Sequence, residues 1–399
     1  MRTEQRASVL RQIPRSVWVL GCVSLFMDVS SEIIHSLLPM FLMASLGASA
    51  TTIGLIEGIA EATAPIIKVF SGTLSDYLGN RKWLAVAGYG LSALSKPLFA
   101  VAPTIGIVVT ARIMDRVGKG IRGAPRDALV ADVTPPHLRG AAFGLRQSLD
   151  TVGAFLGPLL AVVIMLVWAD NFRLAFWLAV IPGLLAVALL TFGIEEQEPG
   201  AKRVNPIRWD SIRQLDTRYW WVVIVGGVFA LARFSEAFLV LRAMRSGVPI
   251  ALVPLVMVAM NAVYALSAYP FGKLADTMTH TKLLIAGLVV LIASDVVLAH
   301  GTHWSIMLVG VGLWGLHMGM TQGLMATMVA HTAPAQLRGT AFGFFNLLSG
   351  VVTLVSSVIA GALWDRLGAA ATFYAGVAFC VLTIALLLSG RTAQPGVGR

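Results

Sequence analysis

This chain has little charge. Of its 399 residues only 13% are charged and 57% are hydrophobic, with a mean hydropathy of +0.80, where a soluble domain carries about a quarter charged residues. Too little polar surface remains to cover a body in water, so a bilayer must be the solvent. Cysteine is scarcer still. Cys22 and Cys380 each sit inside an apolar run, which excludes a disulfide framework or a paired thiolate metal site and leaves two small buried hydrophobes. His300 and His303 have no third ligand in view, so no metal is expected. GKGIRG at 118–123 lacks the spacing of a phosphate loop. No nucleophile–base pair stands out, so neither an enzyme nor a cofactor is expected. The surplus of 30 Lys and Arg over 20 Asp and Glu reads as the basic bias of cytoplasmic loops, not as nucleic-acid contact.

Apolar length is what the chain has in abundance. Spans of about 20 predominantly apolar residues fall near 16–46, 52–76, 83–102, 104–130, 140–168, 173–194, 219–242, 250–275, 282–300, 304–330, 338–363 and 371–389. Arg2, Arg6, Arg11 and Arg15 precede the first as they would a signal peptide, but Asp28 and Glu32 interrupt the run and no cleavage pattern follows, so it is expected to be retained. An even number of spans puts both termini on one side. One set of loops holds the N-terminal arginines, Arg81, Lys82, Arg139, Lys202–Arg218, Lys282, Arg338 and the tail with Arg391 and Arg399. That side is expected to be the cytoplasm of a plasma membrane of the bacterial inner-membrane type.

The only long connection, Ile194–Arg218, begins acidic, turns at Pro199-Gly200 and becomes basic. Asn205-Pro206 reads as the start of a short helix that lays Trp209, Ile212 and Leu215 on the membrane surface. On either side of it the sequence repeats. GTLSDYLGNRK at 72–82 returns as GKLADTMTHTK at 272–282, LRGAAFG at 138–144 as LRGTAFG at 337–343, and Ser31-Glu32 as Ser235-Glu236, a period of about 200 residues. The expected architecture is an all-α membrane protein of about twelve transmembrane helices in two pseudo-symmetric six-helix bundles around a central cavity. The bundles are 1–194 and 219–399, with 195–218 as a cytoplasmic linker.

The charges that do enter these spans gather on faces. On a helix Arg112, Asp115, Arg116, Lys119, Arg122, Arg126 and Asp127 fall within roughly 140°, opposite Ile113, Met114, Val117, Ile121 and Ala124. Charge at that depth costs about 3 kcal/mol per residue and persists where it faces a bundle interior or a watery cavity. The first span carries Asp28, Ser31, Glu32 and His35 on one face, and the second carries Glu57, Glu61 and Lys68. The seventh has Arg233, Glu236 and Arg242, and the tenth has Trp314, His317 and Gln322. Desolvation raises a carboxyl pKa and a nearby guanidinium lowers it, so a shift in their pairing can load or release a proton. Asp28, Glu32 and Glu61 are the candidates for that role, with Arg112 and Arg116 as modulators and Glu236 with Arg233 as the counterpart. A blander reading stands beside it: Asp115 and Lys119, four apart, satisfy each other, His35 and His317 pack, Trp314 is wall, and Lys96 and Asp295 are isolated structural partners.

Gly72-x-Leu74-x-Asp76-x-x-Gly79-x-Arg81-Lys82 resembles the signature loop of the major facilitator superfamily, with Tyr77 and Asn80 as departures. The second copy keeps Gly272, Leu274, Asp276 and Lys282 but has Thr279 and His280 in place of Gly and Arg. Arg112 stands where that family carries a fourth-helix arginine associated with proton coupling. Gly144, Gly153, Gly157 and Pro158 resemble the fifth-span motif of its proton-driven antiporters, with Ala161-Val162 replacing the final Gly-Gly. The resemblance implies that helices 1, 4, 7 and 10 line the cavity while 3, 6, 9 and 12 form the outer scaffold. It implies gating roles for Gly72, Asp76, Arg81, Arg139, Gly153, Gly157, Pro158, Asp276 and Arg338. It further implies a secondary active transporter, a monomer working on protons and a small-molecule substrate by alternating access. Proton-coupled export of a small organic solute is the expected activity, and uptake of an organic anion by symport is the alternative. Arg116, Lys119 and Arg122 recur every third residue as in a voltage sensor, but Asp115 and Asp127 on the same face, and the duplication, argue against a channel.

Overall fold

A computed structural model of the chain describes residues 12–78, 80–195, 215–275, 277–321, 323–334 and 337–389, with the backbone alone for Thr73, Asp76 and Leu78. The described residues hold helices and no strand. In chain order they are α1 (Arg15–Met40), α2 (Ala50–Leu78), α3 (Arg81–Val101), α4 (Ile105–Asp132), α5 (Arg139–Val167) and α6 (Phe172–Gly193). There follow α7 in two pieces (α7a Thr217–Ala232, α7b Ala237–Arg245), α8 (Leu255–Ala275) and α9 (His280–His300). The series ends with α10, also in two pieces (α10a Trp304–Thr321, α10b Leu324–Thr332), α11 (Arg338–Leu367) and α12 (Ala369–Ser389).

Local sequence explains several boundaries. Asn80 and Asn171 cap α3 and α6, each side chain accepting from the backbone N–H three residues on. Pro39 cannot donate to the carbonyl four residues back, and just beyond it α1 loosens into a π turn over Phe41–Ser45. Gly323, at φ +77°, starts α10b in the left-handed region that glycine enters without strain. Ten helices are long and apolar enough to cross a membrane, α7 and α10 counting once each. The two long helices outside that set are α2 and α4, the ones that carry Glu57, Glu61 and Lys68 and the Arg112–Asp127 face. The chain is a multi-pass helical membrane protein, and its described residues form twelve long helices when the two pieces of α7 and of α10 are each counted as one.

Two compact units divide it: Met1–Phe41 with Thr63–Pro206, and Leu42–Ala62 with Ile207–Arg399. The first part of α2 belongs with the second unit. Part of the reason is on α11: the Asp365 carboxylate accepts from the Ala50 and Thr51 N–H groups (3.0 and 2.8 Å) and from the Thr51 hydroxyl (2.6 Å), capping α2 from a distant element. The first unit's core joins Val17, Leu20, Val23 and Met27 of α1 to Ala85, Tyr89 and Ala93 of α3 and to Ala186 and Leu190 of α6. In the second unit Phe234, Phe238, Trp314, Trp364 and Phe373 form an aromatic cluster with centroids 5.3 to 6.4 Å apart.

Candidate functional site

In the first unit the charged arc of α4 turns inward. Arg112 and Asp115 are each 1% exposed, and Arg116 and Arg122 are buried with them, while Ile113 on the opposite face is 36% exposed. Lys96 on α3 donates to one Asp115 oxygen at 2.7 Å and to the Ser31 hydroxyl of α1 at 3.0 Å. Arg116 takes the other oxygen through Nε (3.1 Å) and Nη2 (2.8 Å). A single carboxylate is thus held between two cations contributed by two helices, with α1 tied in by a hydroxyl. This corrects the reading of Lys96 as isolated, and it gives Asp115 two partners that i,i+4 spacing did not name. Arg122 donates to Ser92 and lies 4.8 Å from the Tyr89 ring centroid.

Towards the end of α4 the pairs become more exposed. Arg126 binds Asp127 (3.1 Å), Lys68 of α2 reaches Asp127 (3.3 Å), and Arg146 of α5 binds Asp150 (2.5 Å). Arg81 donates to Asp132. Lys119 is exposed.

α1 faces these cations with its carboxylates. Asp28 and Glu32 are half-buried; Asp28 lies in the field of Lys119, Arg122, Arg126 and Asp150, and Glu32 in that of Arg116, Lys119 and His35. His35 Nδ1 is 3.3 Å from Glu32. What seats α1 is α5. A Cβ on Gly157 would lie 2.5 Å from the Glu32 Cβ, and one on Gly153 would lie 2.7 Å from the Leu25 carbonyl and 2.9 Å from the Asp28 Cβ. Glycine is required at both points, so the two fifth-span glycines bear directly on the two first-span carboxylates.

The second unit gathers its own set at the break in α7. Arg233, half-buried between α7a and α7b, lies in the field of Glu236, Tyr264 of α8 and Glu61 of α2, with its guanidinium 5.6 Å from the Phe229 ring. His317 of α10a is buried; its Nδ1 is 2.8 Å from the Gly287 carbonyl and its ring 5.8 Å from Phe229. Glu57 is buried on α2. α11 satisfies the backbone that the break frees: Ser356 donates to the Leu231 carbonyl (2.7 Å) and Ser357 accepts from the Ser235 N–H (3.2 Å). Interrupted helices that expose backbone within a membrane are tolerated where protein or a cavity lines them.

Of the residues expected to gate, Gly72 packs near Ala124 of α4, Pro158 is buried beside Gly157 in α5, and Arg139 and Arg338 are exposed at the starts of α5 and α11. The Asp76 side chain, Asp276, Gln322, the 205–214 part of the expected surface helix, Arg2, Arg6, Arg11 and the tail arginines lie outside the described residues. Pattern reading missed the pairing of Lys96, the place of Tyr264 beside Arg233, and Arg146 and Asp150 on α5. A lysine inside an apolar run, just ahead of Pro97, was the one signal available for the first of these.

Buried, mutually neutralising charge in a chain with ten helices long and apolar enough to cross a membrane is the arrangement that a membrane carrier requires. The chain belongs to the Major Facilitator Superfamily, whose profile matches residues 20–249 and 223–398, and it is a transporter. It is 31% identical over 389 residues to the MFS-type transporter MJ1317 of Methanocaldococcus jannaschii, covering 95% of each chain. It is 25% identical over 344 residues to the quinolone resistance protein NorA of Staphylococcus aureus, covering 82% of this chain and 84% of NorA. Among solved structures a peptide transporter of the POT type superposes with a TM-score of 0.80 at 15% identity, covering 95% of both chains. The human organic anion transporter MFSD10 does so at 0.65 and 16%, covering 94% and 99%. At those identities the structural likeness speaks to fold alone.

Proposed function

We propose that the protein exports a small organic solute in exchange for protons, by alternating access of two halves, 1–194 and 219–399, joined by 195–218. The observation that carries this reading is the seating of Asp28 and Glu32 of α1, by Gly153 and Gly157 of α5, among the cations of α4. A carboxylate whose neighbours are cations on a different helix changes its proton affinity when the two helices shift. That is the requirement for coupling. Arg112, Arg116 and Lys119 set the field around those groups, with Glu57, Glu61, Arg233, Glu236, His35, His317 and Gln322 as further site residues. Gly72, Asp76, Arg81, Arg139, Pro158, Asp276 and Arg338 serve the conformational change. The likeness to NorA, named for quinolone resistance, supports the outward direction.

The surplus of cations on α4 favours an anionic or zwitterionic solute. The protein works as a monomer in a bacterial inner membrane, termini in the cytoplasm, without nucleic acid. The second reading is uptake of an organic anion by symport, with Arg233, beside the Phe229 ring, as a cation to meet it. Flux in proteoliposomes decides: an imposed pH gradient should drive solute in the direction opposite to proton flow. Transport indifferent to collapse of the pH gradient and potential overturns the coupling, and solute moving with the protons selects symport.

A further inference from the structure

One ionisable side chain of the second unit belongs to none of these groups. Asp295, in the C-terminal third of α9, is 0% exposed, and neither carboxylate oxygen has a hydrogen-bond partner. Its slot is made by α12 and the α7 break: a Cβ on Gly376 would lie 2.3 Å from Asp295 Oδ2 and 3.3 Å from the Phe234 ring. Phe234 is itself packed on Trp314 and Phe373, at centroid distances of 5.3 and 5.7 Å. The carboxyl group therefore occupies a space left by a glycine and closed by an aromatic ring on a non-helical segment.

The other titratable and charged groups on the elements around it have partners elsewhere: Glu236 at the α7 break lies in the field of Arg233, Arg245 of α7b lies over the Trp364 ring, and His300 of α9 meets the Tyr374 hydroxyl of α12. Cys380 of α12 is buried near Asp295 and carries no fixed charge. His317 of α10a is turned to the Gly287 carbonyl, and the His331 ring of α10b lies tilted against His280 at 5.8 Å between centroids. Arg242 of α7b donates to the carbonyls of Leu298, Ala299 and Gly301 at the end of α9, and Arg233 lies against Phe229. The internal repeat sharpens the contrast. Sliding the first half so that Leu138 falls on Leu337 brings Lys96 onto Asp295 and Asp115 onto Trp314. The second half thus has an acid where the first has a base, and an indole where the first has that base's partner.

An isolated ionised carboxylate is not sustained in such a place; it takes up a proton instead. We propose that Asp295 is a proton-binding site of this transporter, holding its proton under Phe234 in the conformation described and releasing it to water when the α7 break carries that ring aside. The O–H bond of the carboxylic acid breaks, water takes the proton, and the carboxylate remains. The inference rests on the proton-coupled reading above, and its first test does not use transport.

The infrared spectrum of the purified protein at neutral pH should contain the C=O stretch of a protonated acid in apolar surroundings, and Asp295→Asn should remove it. An unchanged spectrum overturns the proposal. If the Asn variant does not fold, the wild-type protein carries the test: dicyclohexylcarbodiimide adds to a protonated buried carboxyl, and peptide mapping should find the adduct on Asp295. An unmodified Asp295 overturns it. In proteoliposomes Asp295→Asn should lose gradient-driven flux down to the level of empty vesicles while keeping solute counterflow. Gradient-driven flux at the wild-type rate overturns the coupling role even with the band present. Wild-type flux that ignores the gradient removes the proton-coupled reading instead, and the infrared band still decides whether Asp295 holds a proton.

Discussion

The α3–α4 pair of the first unit and the α9–α10 pair of the second occupy matching places in the repeat and solve the same problem differently. In the first, Lys96, Asp115 and Arg116 are buried together, and each charge answers another at 2.7 to 3.1 Å. In the second, Trp314 and Gly315 stand where Asp115 and Arg116 would, and the aromatic cluster around Phe234 fills the space. Asp295 remains there as a lone acid. What duplication preserves is the packing of helix on helix. Which charges occupy the seam is free to change, provided none is stranded in hydrocarbon. At this seam the first bundle pairs every charge with another, and the second leaves one acid among aromatic rings.

The largest expected break in this comparison comes from Asp115→Leu. It leaves Lys96 and Arg116 buried without their shared carboxylate, and removal of one partner from a buried pair costs about 3–5 kcal/mol. Thermal unfolding of the detergent-purified protein should register it. The double variant Lys96→Met, Asp115→Leu should regain part of the loss; a double variant no better than the single would show that the two residues do not neutralise each other. A smaller contrast lies between Gly157 on α5 and Ser356, its counterpart on α11. Gly157→Ala forces a methyl group against the Glu32 Cβ, 2.5 Å away, an overpacking that costs about 1–3 kcal/mol. Ser356→Ala gives up one hydrogen bond to Leu231, about 1 kcal/mol, and should leave flux unchanged where Gly157→Ala slows it. Equal effects at the two sites would mean that α5 holds no special place beside α1. Smallest of all is Lys68→Gln. Its ion pair with Asp127 is half in solvent, and such pairs contribute about 0–1 kcal/mol, so the unfolding curve should barely move.

Much of this was legible from residue order alone. Twelve apolar runs gave the helices, because in lipid every backbone group must be satisfied within its own segment. The arc of charge from Arg112 to Asp127 gave the buried face of α4 at Arg112, Asp115, Arg116 and Arg122, while Lys119 in the same arc is exposed. Three things were not legible, all for one reason. The partner of Lys96 sits on the next helix, the slot around Asp295 is made by α12 and the α7 break, and the first part of α2 is claimed by α11 through Asp365. Periodicity reports which way a side chain points along its own helix, not what another helix brings to meet it. The breaks in α7 and α10 escaped as well, because Phe234, Ser235 and Gly323 carry no mark of interruption inside runs that remain apolar.

The two long helices too polar for the ten apolar spans, α2 and α4, pose a question at birth as well as in the finished protein. A nascent segment bearing Arg112, Asp115, Arg116, Lys119 and Arg122 is opposed by about 2.5–3.5 kcal/mol for each charge near its centre if it enters lipid alone. α3 arrives at the translocon first with Lys96 unanswered, and α4 follows with the carboxylate that answers it. Released as a hairpin, the two enter the membrane with that lysine already matched. Insertion as a hairpin spares Lys96 and Asp115 the cost of entering lipid unpaired.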